Sequence, residues 1–224
     1  IDSQVERTKT RALASGKITV RTAYILLLTM LFLSLLVTFC LPKESRELCL
    51  SLCITALPLI LLYPTCKRWL PYPQAILSMC WGFSVLITWA ASEANLNGGW
   101  PLWGTWGATL LWTFGFDTIY AMSDRNDDQR LGIQSSALNL GKNVLLTVSL
   151  SYAFTSILIA ISSFNAGVSY IFWSLWLIVT IGMQREVWKL KVHTSQASKY
   201  VNHFKNQVWL GSLLFLGLII GRIN

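Results

Sequence analysis

Seven apolar stretches, at residues 22–41, 48–64, 74–91, 101–122, 144–164, 168–187 and 207–223, dominate the chain, and each is long or nearly long enough to cross a hydrocarbon layer of about 30 Å. In a bilayer every backbone N–H and C=O must find its partner inside the segment, so each stretch is predicted to be a helix. The fold class is therefore all-α, a polytopic transmembrane helix bundle. Charge placement supports the count: 15 of the 18 Lys and Arg residues fall in the loops of one end, and only Lys43, Arg46 and Arg222 fall at the other. Cytoplasmic loops retain Lys and Arg, which assigns the basic end, with the amino-terminal residues, to the cytoplasm. The net charge of +8 thus reads as membrane orientation and not as a nucleic-acid surface; 54% hydrophobic residues against 12% charged and a mean hydropathy of +0.51 agree. Trp100, Trp103, Trp188 and Trp209 fall near predicted span ends, as an aromatic belt would place them, and Pro58 is expected to bend the second span.

Residues 113–139, TFGFDTIYAMSDRNDDQRLGIQSSALN, carry an apolar helix into a dense acidic cluster. At a helical step Asp117, Tyr120, Asp124 and Asp128 fall along one face, with Asp127 nearby. Asp124 and Asp128 are one turn apart, a spacing at which two carboxylates can share a divalent ion, and Mg2+ takes a few carboxylates together with phosphate oxygens and water. A solvated acidic loop between two helices is the alternative. At the same end, residues 63–74 read YPTCKRWLPYPQ and set Tyr63 beside Lys67 and Arg68. A guanidinium donates two parallel hydrogen bonds to a carboxylate, whereas an ammonium is a compact charge for phosphate oxygens. Ordinary cytoplasmic-loop cations would leave the same trace.

The stretch DTIYAMSDRNDDQRLGIQSSAL resembles the second aspartate-rich motif of the UbiA-type intramembrane prenyltransferases, in the 4-hydroxybenzoate polyprenyltransferase branch. That motif sets a Tyr and then Asp or Ala ahead of two aspartates four residues apart, and here it falls on Tyr120, Ala121, Asp124 and Asp128. The segment VERTKTRALASG is similar to the family's V-x-R-T-x-x-R-P-L-x-S-G, with Ala12 in place of Pro, and Asp2 stands where the last Asp of the first aspartate motif would be. Flanking sequence resembles the cyanobacterial members of the branch, which act early in plastoquinone synthesis.

The resemblance implies a membrane-embedded prenyltransferase domain over residues 1–224, amino-terminally incomplete, its seven spans matching helices three to nine of a nine-helix family. It implies that a polyprenyl group passes from polyprenyl diphosphate to the ring of 4-hydroxybenzoate, ortho to the hydroxyl, in plastoquinone or ubiquinone-type synthesis. Mg2+ would be held by Asp2, Asp124 and Asp128; Arg7, Tyr63, Lys67 and Arg68 would bind substrate; Asp117, as general base by position, and Tyr120 would be catalytic. The membrane would be the bacterial inner membrane or the thylakoid, with the site on the cytoplasmic side.

Other readings remain at this stage. They are a prenyltransferase for a different acceptor, a non-catalytic membrane subunit, and a transporter, although a transporter is expected to show mid-span ionisable groups and a repeat relating its halves. The five cysteines form no CxxC and read as small structural hydrophobes. His193 and His203, without a third ligand at metal spacing, read as solvated, and Gly132, Ser135 and Ser136 as phosphate donors or as plain loop.

Overall fold

The computed structural model describes residues 2–191 and 197–223. Seven long helices carry the fold: α1 (Val20–Phe39), α2 (Lys43–Cys66), α3 (Pro73–Glu93), α4 (Gly99–Ala121), α7 (Val144–Asn165), α8 (Tyr170–Lys189) and α9 (Ala197–Ile223), with the short α5 (Arg125–Arg130) and α6 (Ser136–Asn139) between α4 and α7. No strand occurs among the described residues. Local signals explain several boundaries. The Thr19 hydroxyl accepts the Thr22 amide at 3.1 Å and starts α1, Pro73 opens α3, whose first amides need no helical partner, and the Ser135 hydroxyl caps α6 through the Leu138 amide at 3.3 Å.

The helices run up and down, and hydrogen bonds tie the loops of each end together. At the basic end the Gln134 amide donates to the Lys67 carbonyl at 2.7 Å and Asn139 Nδ2 to the Pro71 carbonyl at 2.9 Å. At the opposite end Ser162 Oγ donates to the Trp100 carbonyl and the Ser169 amide to the Gly221 carbonyl. Five helices, α1, α2, α3, α7 and α9, combine the length and hydropathy needed to cross a membrane. Helices α4 and α8 are as long but are not among the five; they carry Trp, Gly and Thr and, in α8, Gln184, Arg185 and Glu186.

Most predicted spans lie within a few residues of their helices, and the ends that differ share one cause. Helix α2 begins at Lys43 and α9 at Ala197, well before the apolar runs at 48 and 207, because the first turns project from the apolar layer and tolerate charge. Trp209 therefore sits within α9 and not at its end.

Packing is closest between α4 and α7, where small residues let the backbones approach. Gly104, Ala108 and Gly115 lie on the buried face of α4, and the fully buried Tyr152 of α7 fills the space that Gly115 leaves. The Tyr152 hydroxyl lies 2.8 Å from His203 Nε2 on α9. His203 is only 2% exposed, which corrects the expectation that it is solvated: α9 extends farther than its apolar run and carries the imidazole into the interior, beside Gln207, whose Oε1 accepts the Trp112 indole at 2.9 Å. His193 lies outside the described residues. The five cysteines are free thiols; Cys49 and Cys66 are buried.

A Cβ built at Gly115 would lie 2.6 Å from Tyr152 Cε1, in a ring that has no room to move, whereas one at Gly107 meets only the flexible end of Leu158 at 3.2 Å. Gly115→Ala should destabilise the protein by about 1–3 kcal/mol and Gly107→Ala by less than about 0.5 kcal/mol. Thermal unfolding in detergent checks both; equal midpoints would remove the α4–α7 contact as the tight point of the fold.

Candidate active site

Helix α4 does not run unbroken through the acidic cluster. It ends at Ala121, a 3₁₀ turn covers Met122–Asp124, and α5 begins at Arg125. The single helical face expected for Asp117, Tyr120, Asp124 and Asp128 is therefore broken between Tyr120 and Asp124, yet the turn leaves Asp117, Tyr120 and Asp124 on the wall of one cavity of about 400 Å3. Tyr63, Lys67 and Gln74 line it from α2 and α3, and Asp2, Arg7 and Arg11 from the amino-terminal segment that closes it.

That segment is held by pairing. Arg7 Nε and Nη2 donate to the two oxygens of Asp124 at 2.8 and 2.5 Å, and Nη1 donates to the Tyr120 hydroxyl at 2.7 Å. The guanidinium carbon also lies 4.4 Å from the centre of the Tyr120 ring, in cation–π range. Hydrogen bonding to Asp124 raises the Arg7 pKa against the opposing effect of burial. Farther out the Glu6 amide donates to Asp127 at 2.9 Å, and Arg130 bonds both the Gln4 carbonyl and Asp127. Val5 and Thr8, buried beneath the segment, anchor it from within.

Asp128 lies just behind the wall, fully buried, with Oδ1 3.4 Å from Lys67 Nζ and Oδ2 without a hydrogen-bond partner. Burial pushes its carboxyl above the usual carboxylate range, and Lys67 partly offsets that. Ser135 and Ser136 are buried; Ser136 donates its amide to Gln74 Oε1 at 2.8 Å, and its hydroxyl is unpartnered. Asp2 is exposed on the rim, 3.2 Å from Arg11. Arg68 is exposed and does not line the cavity. Arg11 and Gln74 line the cavity beyond the expected site residues; their signal in the sequence is their place in VERTKTRALASG and at the end of YPTCKRWLPYPQ.

Below this polar cavity lies an apolar one of about 240 Å3, walled by Trp81, Trp112, Phe116, Phe204 and Val208. A third, of about 300 Å3, continues toward the opposite end and shares Thr109 and Trp112 with the second. Phe204, in the wall of the second cavity, packs its ring 5.4 Å from Phe116 and 4.9 Å from Tyr120, which lines the first. A polar cavity walled by cations and carboxylates thus lies next to apolar cavities lined with aromatic rings.

A sequence profile of the UbiA prenyltransferase family matches residues 1–211. The chain belongs to that family. It is 37% identical over 221 residues to a 4-hydroxybenzoate solanesyltransferase of Synechocystis sp., covering 99% of this chain and 74% of that protein. To a 4-hydroxybenzoate octaprenyltransferase of Vesicomyosocius okutanii it is 34% identical, covering 98% of this chain and 78% of that one. Among solved structures, a UbiA homolog from Aeropyrum pernix K1 in its apo form superposes with a TM-score of 0.81 at 23% identity, over 98% of this chain and 79% of the other. Family membership and the apolar helices together make this an integral membrane protein.

The Arg7–Asp124 pair is the strongest link between the amino-terminal segment and the bundle, so Asp124→Ala should release that segment. Loss of charge-assisted hydrogen bonds shifts such an opening equilibrium about ten- to hundredfold, and cleavage of the open form follows its population. Tryptic cleavage at Arg7, Lys9 or Arg11 should accelerate accordingly in the variant; an unchanged rate would show that the Glu6–Asp127 and Gln4–Arg130 bonds with the buried Val5 and Thr8 suffice to hold the segment.

Proposed function

We propose that the chain transfers a polyprenyl group from polyprenyl diphosphate to the ring of 4-hydroxybenzoate, at the carbon ortho to the hydroxyl, in quinone biosynthesis. The observation that carries the reading is the arrangement along α4. From Tyr120 through Asp117, Phe116 and Trp112 to Pro101, one helix lines the polar cavity and then both apolar ones, the shape required by a donor with a charged head and a long hydrocarbon tail. Relatives named as 4-hydroxybenzoate polyprenyltransferases support the acceptor.

The donor set fits a metal ion that arrives with the diphosphate. Among the described residues no three His, Cys, Asp or Glu side chains gather as a metal cage, but Asp128 Oδ2 is buried and unpartnered, and Mg2+ commonly takes one or two carboxylates and completes its shell with phosphate oxygens and water. Asp128 and Asp124, with Asp2 at the rim, are the residues that would hold it. Bound there, Mg2+ supplies Lewis-acid stabilisation of the departing diphosphate.

The protein's own groups account for the rest. Lys67 and Arg7 take diphosphate oxygens, Arg7 exchanging its bond to Asp124 for one to the substrate. When the allylic C–O bond breaks, its electron pair leaves with the diphosphate, and the allylic carbon is left cationic near Tyr120, Phe116 and Phe204, whose ring faces stabilise it. Those apolar walls also keep water from capturing it. The electron-rich ring carbon ortho to the hydroxyl forms the new C–C bond, and Asp117, at the junction of the polar and apolar cavities, receives the ring proton and restores aromaticity. The site is proposed to face the cytoplasm, from the concentration of Lys and Arg at its end.

Asp124→Ala and Asp128→Ala should each abolish Mg2+-dependent transfer, measured with radiolabelled 4-hydroxybenzoate in membranes, while leaving membrane insertion intact. Activity at normal Mg2+ in either variant would remove that carboxylate from the proposed metal site and leave it a structural ion pair.

Two arginines compete for the carboxylate of the acceptor, Arg68, expected from the loop pattern, and Arg11, which lines the cavity. The position of Arg11 favours it. A Lys replacement keeps the charge but loses the planar fork, so Arg11→Lys should raise the KM for 4-hydroxybenzoate about tenfold or more, while Arg68→Lys leaves it within about threefold. The reverse pattern would return the role to Arg68.

A further inference from the structure

Outside the three cavities along α4, the bundle holds one more recess with a chemistry of its own. Between α7 and α8 at the basic end, a groove of about 600 Å3 opens to the outside. Its inner wall is polar and built: Ser149 Oγ donates to Gln184 Oε1 at 2.6 Å, and Gln184 Nε2 donates back to the Ser149 carbonyl at 2.9 Å. The Thr180 hydroxyl, also in the wall, is buried and without a partner. Arg185 and Lys191 line the mouth, and neither forms an ion pair among the described residues. The carboxylate between them in sequence, Glu186, is engaged elsewhere, by Lys189 and by Asn206 Nδ2.

The same groove has an apolar flank. Ile178, Ile181, Arg185 and Trp188 follow one another at three, four and three residues, which places them on one stripe of α8. Ile178 is 55% exposed, Ile181 58% and Trp188 69%. The stripe therefore passes from bare isoleucine side chains to the Arg185 cation and the Trp188 indole, with Lys191 just beyond.

We infer that this α7–α8 groove is a binding site for an anionic phospholipid, its phosphate held between Arg185 and Lys191 and its first acyl carbons lying along Ile181 and Ile178. Two physical arguments select that occupant. Cations without counter-ions at the cytoplasmic face of a membrane protein attract anionic headgroups, and basic recesses between helices are where such headgroups lodge. The exposed Trp188 has the amphipathic ring favoured at headgroup level. A free phosphate would use the cations but would leave the apolar stripe without a role, and a zwitterionic lipid would bring its own cation against Arg185. The groove lies on the outer face of α7 and α8, away from the cavity closed by Arg7, so a lipid there would brace the bundle without entering the reaction path.

The test is native mass spectrometry of the detergent-purified protein titrated with phosphatidylglycerol, phosphatidylcholine or inorganic phosphate. Phosphatidylglycerol should be retained in preference to phosphatidylcholine. With each basic residue near a membrane surface contributing about fivefold, Arg185→Ala/Lys191→Ala should weaken phosphatidylglycerol binding about thirtyfold, while the control Lys17→Ala/Arg21→Ala, which removes equal charge from the same end, should change it less than about threefold. Arg185→Lys/Lys191→Arg should bind as the parent does. If the Ala pair fails to fold, judged by thermal unfolding in detergent, Arg185→Gln/Lys191→Gln keeps the side-chain stems and reads the same loss. Equal weakening in the control pair would assign the binding to the basic end at large and overturn the site. Displacement of phosphatidylglycerol by equimolar inorganic phosphate would overturn the lipid as its occupant, and an unaffected double variant would overturn the groove itself.

Discussion

An ionisable side chain in the middle of a bilayer costs several kcal/mol unless water or a counter-charge reaches it, and the bundle is arranged around that cost. Four carboxylates at the basic end are matched by cations: Asp124 by Arg7 and Asp128 by Lys67 from distant parts of the chain, Asp127 by Arg130 and Asp2 by Arg11 from nearby ones. Three of the four pairs involve the amino-terminal segment or close beneath it. Charge compensation therefore does two things with one set of contacts, since it makes buried carboxylates tolerable and folds a polar segment over the mouth of the bundle.

Helix α4 connects that closed end to the apolar interior. Its buried face is built of Gly104, Ala108 and Gly115, which draws α7 close and fixes the helix along its length. The faces left free then line all three cavities, and the polarity of the lining changes at Asp117, with Phe116 on the apolar side and Tyr120 on the polar one. A donor molecule bound here would have its own boundary between head and tail matched to that change. The helix can hold the boundary steady because its opposite side is clamped; the tightness against α7 and the definition of the reacting position are one structural fact seen from two faces.

Much of this is legible in the amino-acid sequence because hydrophobic runs and loop charges report solvation, which is a one-dimensional property of a membrane chain. The helices, their alternation and the acidic cluster follow from it. What fails to follow is geometry that depends on partners. Nothing local marks the 3₁₀ turn at Met122–Asp124, so a continuous helical face was the natural expectation. The polar residues before 207 look like loop until α9 is seen to carry Tyr200 and His203 inward against α7 and its neighbours. Arg68 and Arg11 are indistinguishable as sequence, both arginines in basic loops at the same end, and only the fold of the amino-terminal segment turns one of them into the cavity wall.

The charges lining the polar cavity point to how it would be used. Asp2, Asp117 and Asp124, with Asp128 behind the wall, stand against Arg7, Arg11 and Lys67, four carboxylates and three cations, so the resting cavity carries little net charge. A diphosphate entering alone would add several negative charges to a partly desolvated space, where the interaction between charges is strengthened many-fold over water. A divalent ion entering alone would have to displace Arg7 from Asp124 to gain that carboxylate. On the proposed reading the two entering together would nearly cancel: Asp124 and Asp128, whose Oδ2 is unpartnered, would hold the metal, and Arg7 would be free to take a phosphate oxygen. On that reading the arrangement would suit the metal–diphosphate pair better than either component by itself, so occupancy of the site by one component should depend on the presence of the other.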